Sequence, residues 1–308
     1  GSAYAIKKSG PRVALPLDSK SKALVDPLAR DMHRYKKRGT SDTIELAMSI
    51  CRADAERLDV LDLPVRAHED SEALYIDIGD ETGDVIAVTA SGWQILSHSP
   101  VLFARTELTA PLPRPERDGD ITRVFEMVNL ADADQDLFIG CLVAAFNIST
   151  PRPLLILRGG QGSGKTQNAK VFVSLTDPST SPVRSLATKI RDWEAMLPKS
   201  SVLAIDNVSR ISQDMSDAMC RASTGGSAVV RALYTDSHAT VSTAMVMQVI
   251  TTIALETIPD DLMDRSVLFA VPNIAGTERA TSATLMSKHE ALRAEIFGAL
   301  LDLLVEVR

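Results

Sequence analysis

The run Gly159-Gly160-Gln161-Gly162-Ser163-Gly164-Lys165-Thr166 has the spacing G-x-x-x-x-G-K-[ST], in which a glycine loop wraps its backbone amides around phosphate. The glycines let the backbone curl so that several N–H groups point inward. A helix starting at the end of the loop adds the positive end of its dipole. Lys165 then offers a point charge to the β- and γ-phosphates, and the Thr166 hydroxyl offers a ligand to Mg²⁺. Residues 159–167, ending at Gln167, are the expected nucleotide contacts, with ATP and Mg²⁺ as the expected ligands. The apolar run Leu154-Leu155-Ile156-Leu157 before the loop reads as a buried strand, and Thr166 to Leu175 as a helix. That context separates a phosphate loop from a plain glycine-rich turn.

Phosphate binding alone hydrolyses nothing. An acid must hold the cation, a polar group must orient water, and a further cation must meet the charge that develops. Asp206 closes the apolar run Val202-Leu203-Ala204-Ile205. It is expected at the C-terminal end of a strand, where parallel sheets bind ligands, and so to join Thr166 at the metal. Asn207 follows it. An amide orients water but takes no proton from it, so either Asn207 works beside another acid or hydrolysis is slow; a strand-end cap is the structural alternative. Arg265 ends Pro259-Asp260-Asp261-Leu262-Met263-Asp264-Arg265. A short helix opened by Pro259 would set it before the next strand, facing a neighbouring subunit's γ-phosphate or paired with Asp261 or Asp264. Arg221 and Arg231 are weaker candidates for that role or for DNA contact. Residues 228–235 and 239–243 flank Asp236-Ser237-His238 as a β-hairpin with a polar tip, and His238 there is a candidate contact to a nucleic-acid backbone.

The elements that carry these residues fall into two parts. Residues 18–37 and 41–59 read as helices, and the alternation over 73–79, 85–88 and 93–96 reads as short antiparallel strands. Residues 1–110 thus form a small α+β domain. Pro111, Pro113 and Pro115 make a stiff connector over 111–121. From 122 to 308, helical stretches at 122–129 and 134–147 precede strands alternating with helices, the pattern of a parallel sheet flanked by helices. Apolar strands are expected at 154–157, 202–206, 245–252 and 266–270, and a last helix over about 283–305.

Bulk properties narrow the function further. The 308 residues are 45% hydrophobic and 24% charged, with a net charge of −7, which opposes a surface that coats nucleic acid throughout. A local basic stretch remains: residues 7–38 hold ten Lys and Arg against Asp18, Asp26 and Asp31, either a solvated helix face or a contact to phosphates. No apolar run approaches the ~20 residues of a membrane span. Cys51, Cys141 and Cys220 are widely spaced and odd in number, which predicts free thiols and a cytoplasmic setting.

Taken in order, these parts resemble AAA+ ATPases and, within them, superfamily III-like replicative helicases of viruses, phages, plasmids and integrated elements. The resemblance covers about 122–308. It rests on Gly159 to Thr166, on Val202 to Asn207, on the hairpin around 229–243 and on Asp261-Leu262-Met263-Asp264-Arg265. The runs Cys220 to Gly226 and Arg231 to Asp236 are similar to ATP-binding proteins of bacterial mobile elements. It implies an α/β AAA+ core with a pre-sensor β-hairpin, a homo-oligomeric ring, most often a hexamer, with ATP between subunits, single-stranded DNA in the channel and other replication proteins as partners. It also implies a polar sensor, filled here by Thr251 in place of the usual Asn. The hairpin tip lacks the Lys that often accompanies His in such helicases. The expected activity is an ATP-dependent DNA helicase or translocase. An ATP-binding scaffold with slow or absent hydrolysis is the second reading, and a small-molecule P-loop kinase a third, opposed by the absence of an arginine-rich lid.

Overall fold

The computed structural model describes residues 3–6, 12–17, 22–34, 41–58, 61, 63–226, 228–231, 239–242, 245–254, 258–274 and 282–308. At its start β1 (Tyr4–Ala5) pairs antiparallel with β2 (Leu15–Pro16), and two helices follow, α1 (Lys22–Arg34) and α2 (Ser41–Ala55). Next comes an antiparallel sheet of β3 (Ala67–Glu69), β4 (Leu74–Asp77), β5 (Val85–Thr89) and β6 (Gly92–Leu96), in that order across the sheet. The side chains of β4 alternate between two apolar clusters. Leu74 and Ile76 join the main core, and Tyr75 joins Val85, Ala87 and Phe103. Alternation in the sequence here marks two different cores rather than a wet face and a dry one.

The helix expected over 122–129 is a 3-10 helix, Ile121–Glu126. The Asp120 carboxylate accepts from Thr122 N and closes its start, and the β-branched Ile121, Thr122 and Val124 suit a short tight turn better than an extended α-helix. A second 3-10 turn, Asp132–Asp134, leads into α3 (Gln135–Ala144).

The chain then alternates. β7 (Leu154–Arg158), α4 (Lys165–Thr176), α5 (Ile190–Met196), β8 (Val202–Ile205) and α6 (Gln213–Thr224) lead to β9 (Ala228–Arg231) and β10 (Ala239–Ser242). After them come β11 (Met247–Thr252), α7 (Asp260–Met263), β12 (Ser266–Ala270) and the long helix α8 (Ser282–Glu306). β12, β7, β11 and β8 form a parallel sheet in that order. At its β8 edge Arg184 adds a single parallel bridge to Ile205. β9 and β10 pair antiparallel, with Arg231 opposite Ala239. The tip with His238 lies outside the described residues, as does the Arg231 side chain.

The central strands are apolar throughout because both faces are covered. Leu155, Leu157, Ala204 and Val249 point into one core with α3, α4, α8 and the antiparallel sheet. Leu154, Ile156, Leu203 and Ile250 point into the other, with Trp193, Met215, Met219 and Leu262 from α5, α6 and α7. The stretch 111–121 is packed against this body: Leu112 is buried, and Glu116 N donates to Ala294 O at 3.1 Å. The approach to α8 is so close that a Cβ at Gly298 would fall 1.6 Å from Glu116 O. α8 also receives the antiparallel sheet, through Trp93 Nε1 donating to Asp302 at 2.7 Å and Arg117 stacked on the Trp93 ring at 3.8 Å. The three cysteines are free, Cys51 exposed and the other two buried. Among the described residues no helix is long and apolar enough to cross a membrane.

One buried ion pair joins the two sheets. Arg66 donates to Asp177 Oδ1 at 2.9 Å, just past α4, and to the carbonyls of Asp77, Ala110 and Pro178. The other Asp177 oxygen accepts from Ser201 N and Val202 N where β8 begins. Arg66→Met should therefore destabilise the protein by about 3–5 kcal/mol, since it leaves a buried carboxylate without its cation. Urea denaturation measures this, and a loss below about 1 kcal/mol, the range of an exposed pair, would show that the pair does not tie the sheets.

Candidate functional site

The parallel sheet sets the site at the C-terminal ends of its strands. β7 runs into the glycine loop, β8 ends beside Asp206, and β11 carries Thr251 one position beyond Ile250, which pairs with Ile205. In the loop Gly162 and Gly164 take left-handed φ values of 75° and 89°, and Gly164 caps α4. Only glycine reaches these angles freely. A Cβ at Gly159 would fall 2.5 Å from Val271 O and 2.8 Å from Ser163 Oγ, so the backbone itself fills that space.

Lys165 and Thr166, in the first turn of α4, face this corner. Lys165 Nζ donates to Gly160 O at 2.6 Å and lies 3.4 Å from Ser163 Oγ. Burial pushes the ammonium below its usual pKa, while the nearby Asp206 charge opposes that shift. Thr166 Oγ1 donates to Asp206 Oδ1 at 2.9 Å. The same oxygen accepts a short hydrogen bond from Thr251 Oγ1, whose own oxygen accepts from Asn207 N at 3.0 Å. Lys165, Thr166, Asp206, Asn207 and Thr251, five residues expected from the sequence, thus meet at one point.

Asn207 has a further reason to be asparagine. Its φ is 55°, a left-handed conformation that asparagine tolerates better than other side-chain-bearing residues. The amide side chain is exposed at the strand end.

Two asparagines that no motif flagged hold the loop from outside. Asn129 N donates to Asn168 Oδ1 at 2.9 Å, and Asn168 Nδ2 returns a bond to Asn129 O at 2.8 Å. Asn129 Nδ2 also reaches Ser163 O at 2.9 Å and Pro272 O at 2.7 Å. This ties the loop to the segment before α3 and to the chain leaving β12. For Asn129 the only sequence signal is a polar amide inside an apolar stretch, which turns and caps also show; Asn168 lies in the polar start of α4 and gives none.

Arg265 stands elsewhere. It precedes β12, whose Ser266 pairs with Leu154 at the start of β7. A five-residue strand at ~3.3 Å per residue puts roughly 16 Å of sheet between it and the glycine loop. It is exposed, with Nη1 on the carbonyl of Asp261 at 2.5 Å, while the Asp261 carboxylate takes Ser216 Oγ at 3.4 Å. Gln167 points to α8, where it lines a cavity with His289.

The donor set suits a hard cation bound together with phosphate. Mg²⁺ is held by one or two carboxylates with substrate phosphates and water rather than by a full protein cage. Here Thr166 and Asp206 supply two oxygens, and among the described residues no cluster of three His, Cys, Asp or Glu could hold a metal by itself.

Residues 121–308 match the family described as actinomycete integrative conjugative element replication protein. Among solved structures, the A-form apo structure of the NrS-1 C-terminal region is similar at 14% identity and a TM-score of 0.45, covering 73% of this chain and 64% of that one. A second apo structure of that region gives 12% identity and a TM-score of 0.47, covering 86% of this chain and 66% of the other. The chain therefore spans less than two thirds of either. No curated protein matches it.

Thr251→Val keeps the shape of the side chain and removes both its bonds, leaving Asn207 N–H unpaired and Asp206 with one donor fewer. A loss of about 1–3 kcal/mol in chemical denaturation is expected; unchanged stability would mean that Thr251 does not hold this corner together.

Proposed function

The chain belongs to the actinomycete integrative conjugative element replication protein family, and on that premise we propose that it is an ATP-driven DNA motor, an AAA+-like ATPase acting as a ring helicase or translocase when the element is copied. The observation that carries this reading is the meeting of the glycine loop with Asp206: Thr166 and Asp206 lie 2.9 Å apart beside Lys165. Bound ATP with Mg²⁺ would supply the phosphoanhydride to be broken and the charge that neutralises its oxygens. Lys165, now on Gly160 O, would hold the phosphates, and Thr166 and Asp206 would hold the cation. Thr251 keeps Asp206 in position and, with Asn207, orients water. Arg265, exposed at the far end of the sheet, suits a charge given to the next subunit's site, with ATP sites shared between subunits of a ring, a hexamer by the resemblance to superfamily III-like helicases. The β9–β10 pair and the basic stretch 7–38 are the segments offered to single-stranded DNA.

One observation favours a second reading, an ATP-gated scaffold that hydrolyses slowly. Asn207 stands where a proton acceptor would speed water attack, and its amide accepts no proton at neutral pH.

Lys165→Ala should abolish phosphate release, and wild-type turnover in that variant would remove the glycine loop from the mechanism. Arg265→Ala should lower turnover by about 10³-fold or more with nucleotide affinity kept. Mixing it with Lys165→Ala subunits should recover activity above either parent, because intact sites form at mixed interfaces. No recovery in rings shown to be mixed would refute a role in trans. Single-stranded DNA should raise the ATPase rate, with the effect falling as salt rises; a flat response would favour the scaffold.

A further inference from the structure

A cavity of about 240 Å³ lies between α4 and α8, edged by residues 110–111 and 178–182. Pro111, Val171, Pro178, Pro182 and Met286 give it apolar walls, and Gln167, Lys170, His289, Glu290 and Arg293 give it polar ones. Nothing in the ATPase reading uses it.

Two of its groups lack partners. His289 is 5% exposed, and its Nε2 lies 2.7 Å from Ser174 Oγ. That hydroxyl spends its own hydrogen on Val171 O at 2.6 Å. The ring therefore donates from Nε2 and keeps Nδ1 as a bare acceptor. Burial first, and then the Arg293 guanidinium, hold His289 below the ordinary imidazole range against the pull of Glu290, so the neutral ring prevails at neutral pH. Neither His289 Nδ1 nor Gln167 Nε2 has a hydrogen-bond partner, and both are closed to solvent. A buried polar atom left unpaired is uncommon and unfavourable. At the rim Lys170 is exposed, and no carboxylate pairs with it among the described residues.

The walls of the cavity thus carry one unpaired donor and one unpaired acceptor, both covered in this conformation, with a free cation at its edge. We propose that it is a second ligand site, for a nucleobase that carries a phosphate. The base enters between the proline and valine walls as the Gln167 and His289 side chains turn to uncover these two atoms. Its carbonyl or ring nitrogen accepts from Gln167, its N–H donates to His289 Nδ1, and its phosphate meets Lys170. Proteins read extruded bases in this way, by the donors and acceptors of one edge between apolar side chains. The volume is below the ~300–1,000 Å³ of clefts that enclose drug-sized ligands, which suits a base inside with sugar and phosphate outside. The site is independent of what the glycine loop holds, although α4 carries Thr166 to one and Gln167 to the other.

The chemistry is shared by a free nucleotide and by one nucleotide of a strand. Calorimetric titration of the full chain, without Mg²⁺, with nucleoside monophosphates and with short single-stranded oligonucleotides separates the two. Monophosphates lack the β- and γ-phosphates that Lys165 would hold. Saturation by monophosphates assigns the site to free nucleotide, and saturation by oligonucleotides alone assigns it to a strand. In either case Lys170→Glu should weaken binding about tenfold, the loss of one charge-assisted contact, and Met286→Trp should block the mouth. Both residues are exposed, so melting temperatures near wild type would confirm that the variants fold. No uptake of either probe at millimolar concentration, or equal affinity in wild type and both variants, overturns the proposal.

Discussion

Everything at the candidate site depends on the register of three parallel strands. β11 is hydrogen-bonded to β7 on one side and β8 on the other, and this ladder brings three distant positions level. Thr166 opens the helix after β7, Asp206 follows β8, and Thr251 lies near the end of β11. A slip of one residue would turn Thr251 away from Asp206, because successive side chains point to opposite faces. Two hydroxyls sharing one carboxylate oxygen are thus a direct consequence of backbone pairing. The apolar runs maintain that pairing by filling a core on each face of the sheet.

The antiparallel sheet is tied to the same body at two places, and both touch the elements that carry the site. Arg66 holds Asp177 just past the end of α4, and Asp177 in turn holds the start of β8. Trp93 and Arg117 hold α8. α4 is therefore fixed at its first turn by Asp206, near its start by the Asn129–Asn168 pair, and just past its end by Arg66 and Asp177.

The bend of the glycine loop was legible because it is local: glycines that take left-handed angles in one short run. The four core strands were legible from continuous apolar runs, and Asp206 from its place at the end of one. The short strands β1 to β3 were not, since two or three residues carry no period. The segment 122–129 read as a helix because its apolar spacing fits one, yet the Asp120 cap and β-branched residues tighten it to a 3-10 turn. α5 and α6 had too mixed a composition to stand out. Asn129 and Asn168 were invisible because an asparagine earns no notice in a sequence until its partner, 39 residues away, is known.

By itself the sequence determined which backbone angles the loop could take, which strands had to be covered on both faces, and which side chains could meet phosphate or a cation. Those properties belong to single residues and their neighbours in the chain. The tertiary structure alone decided that Thr251 and Thr166 share Asp206, that Asn207 takes a left-handed turn, and that Arg265 stands at the far end of the sheet. It also decided that Gln167 and His289 line one cavity. These follow from strand register and helix packing, which depend on the whole core being filled at once.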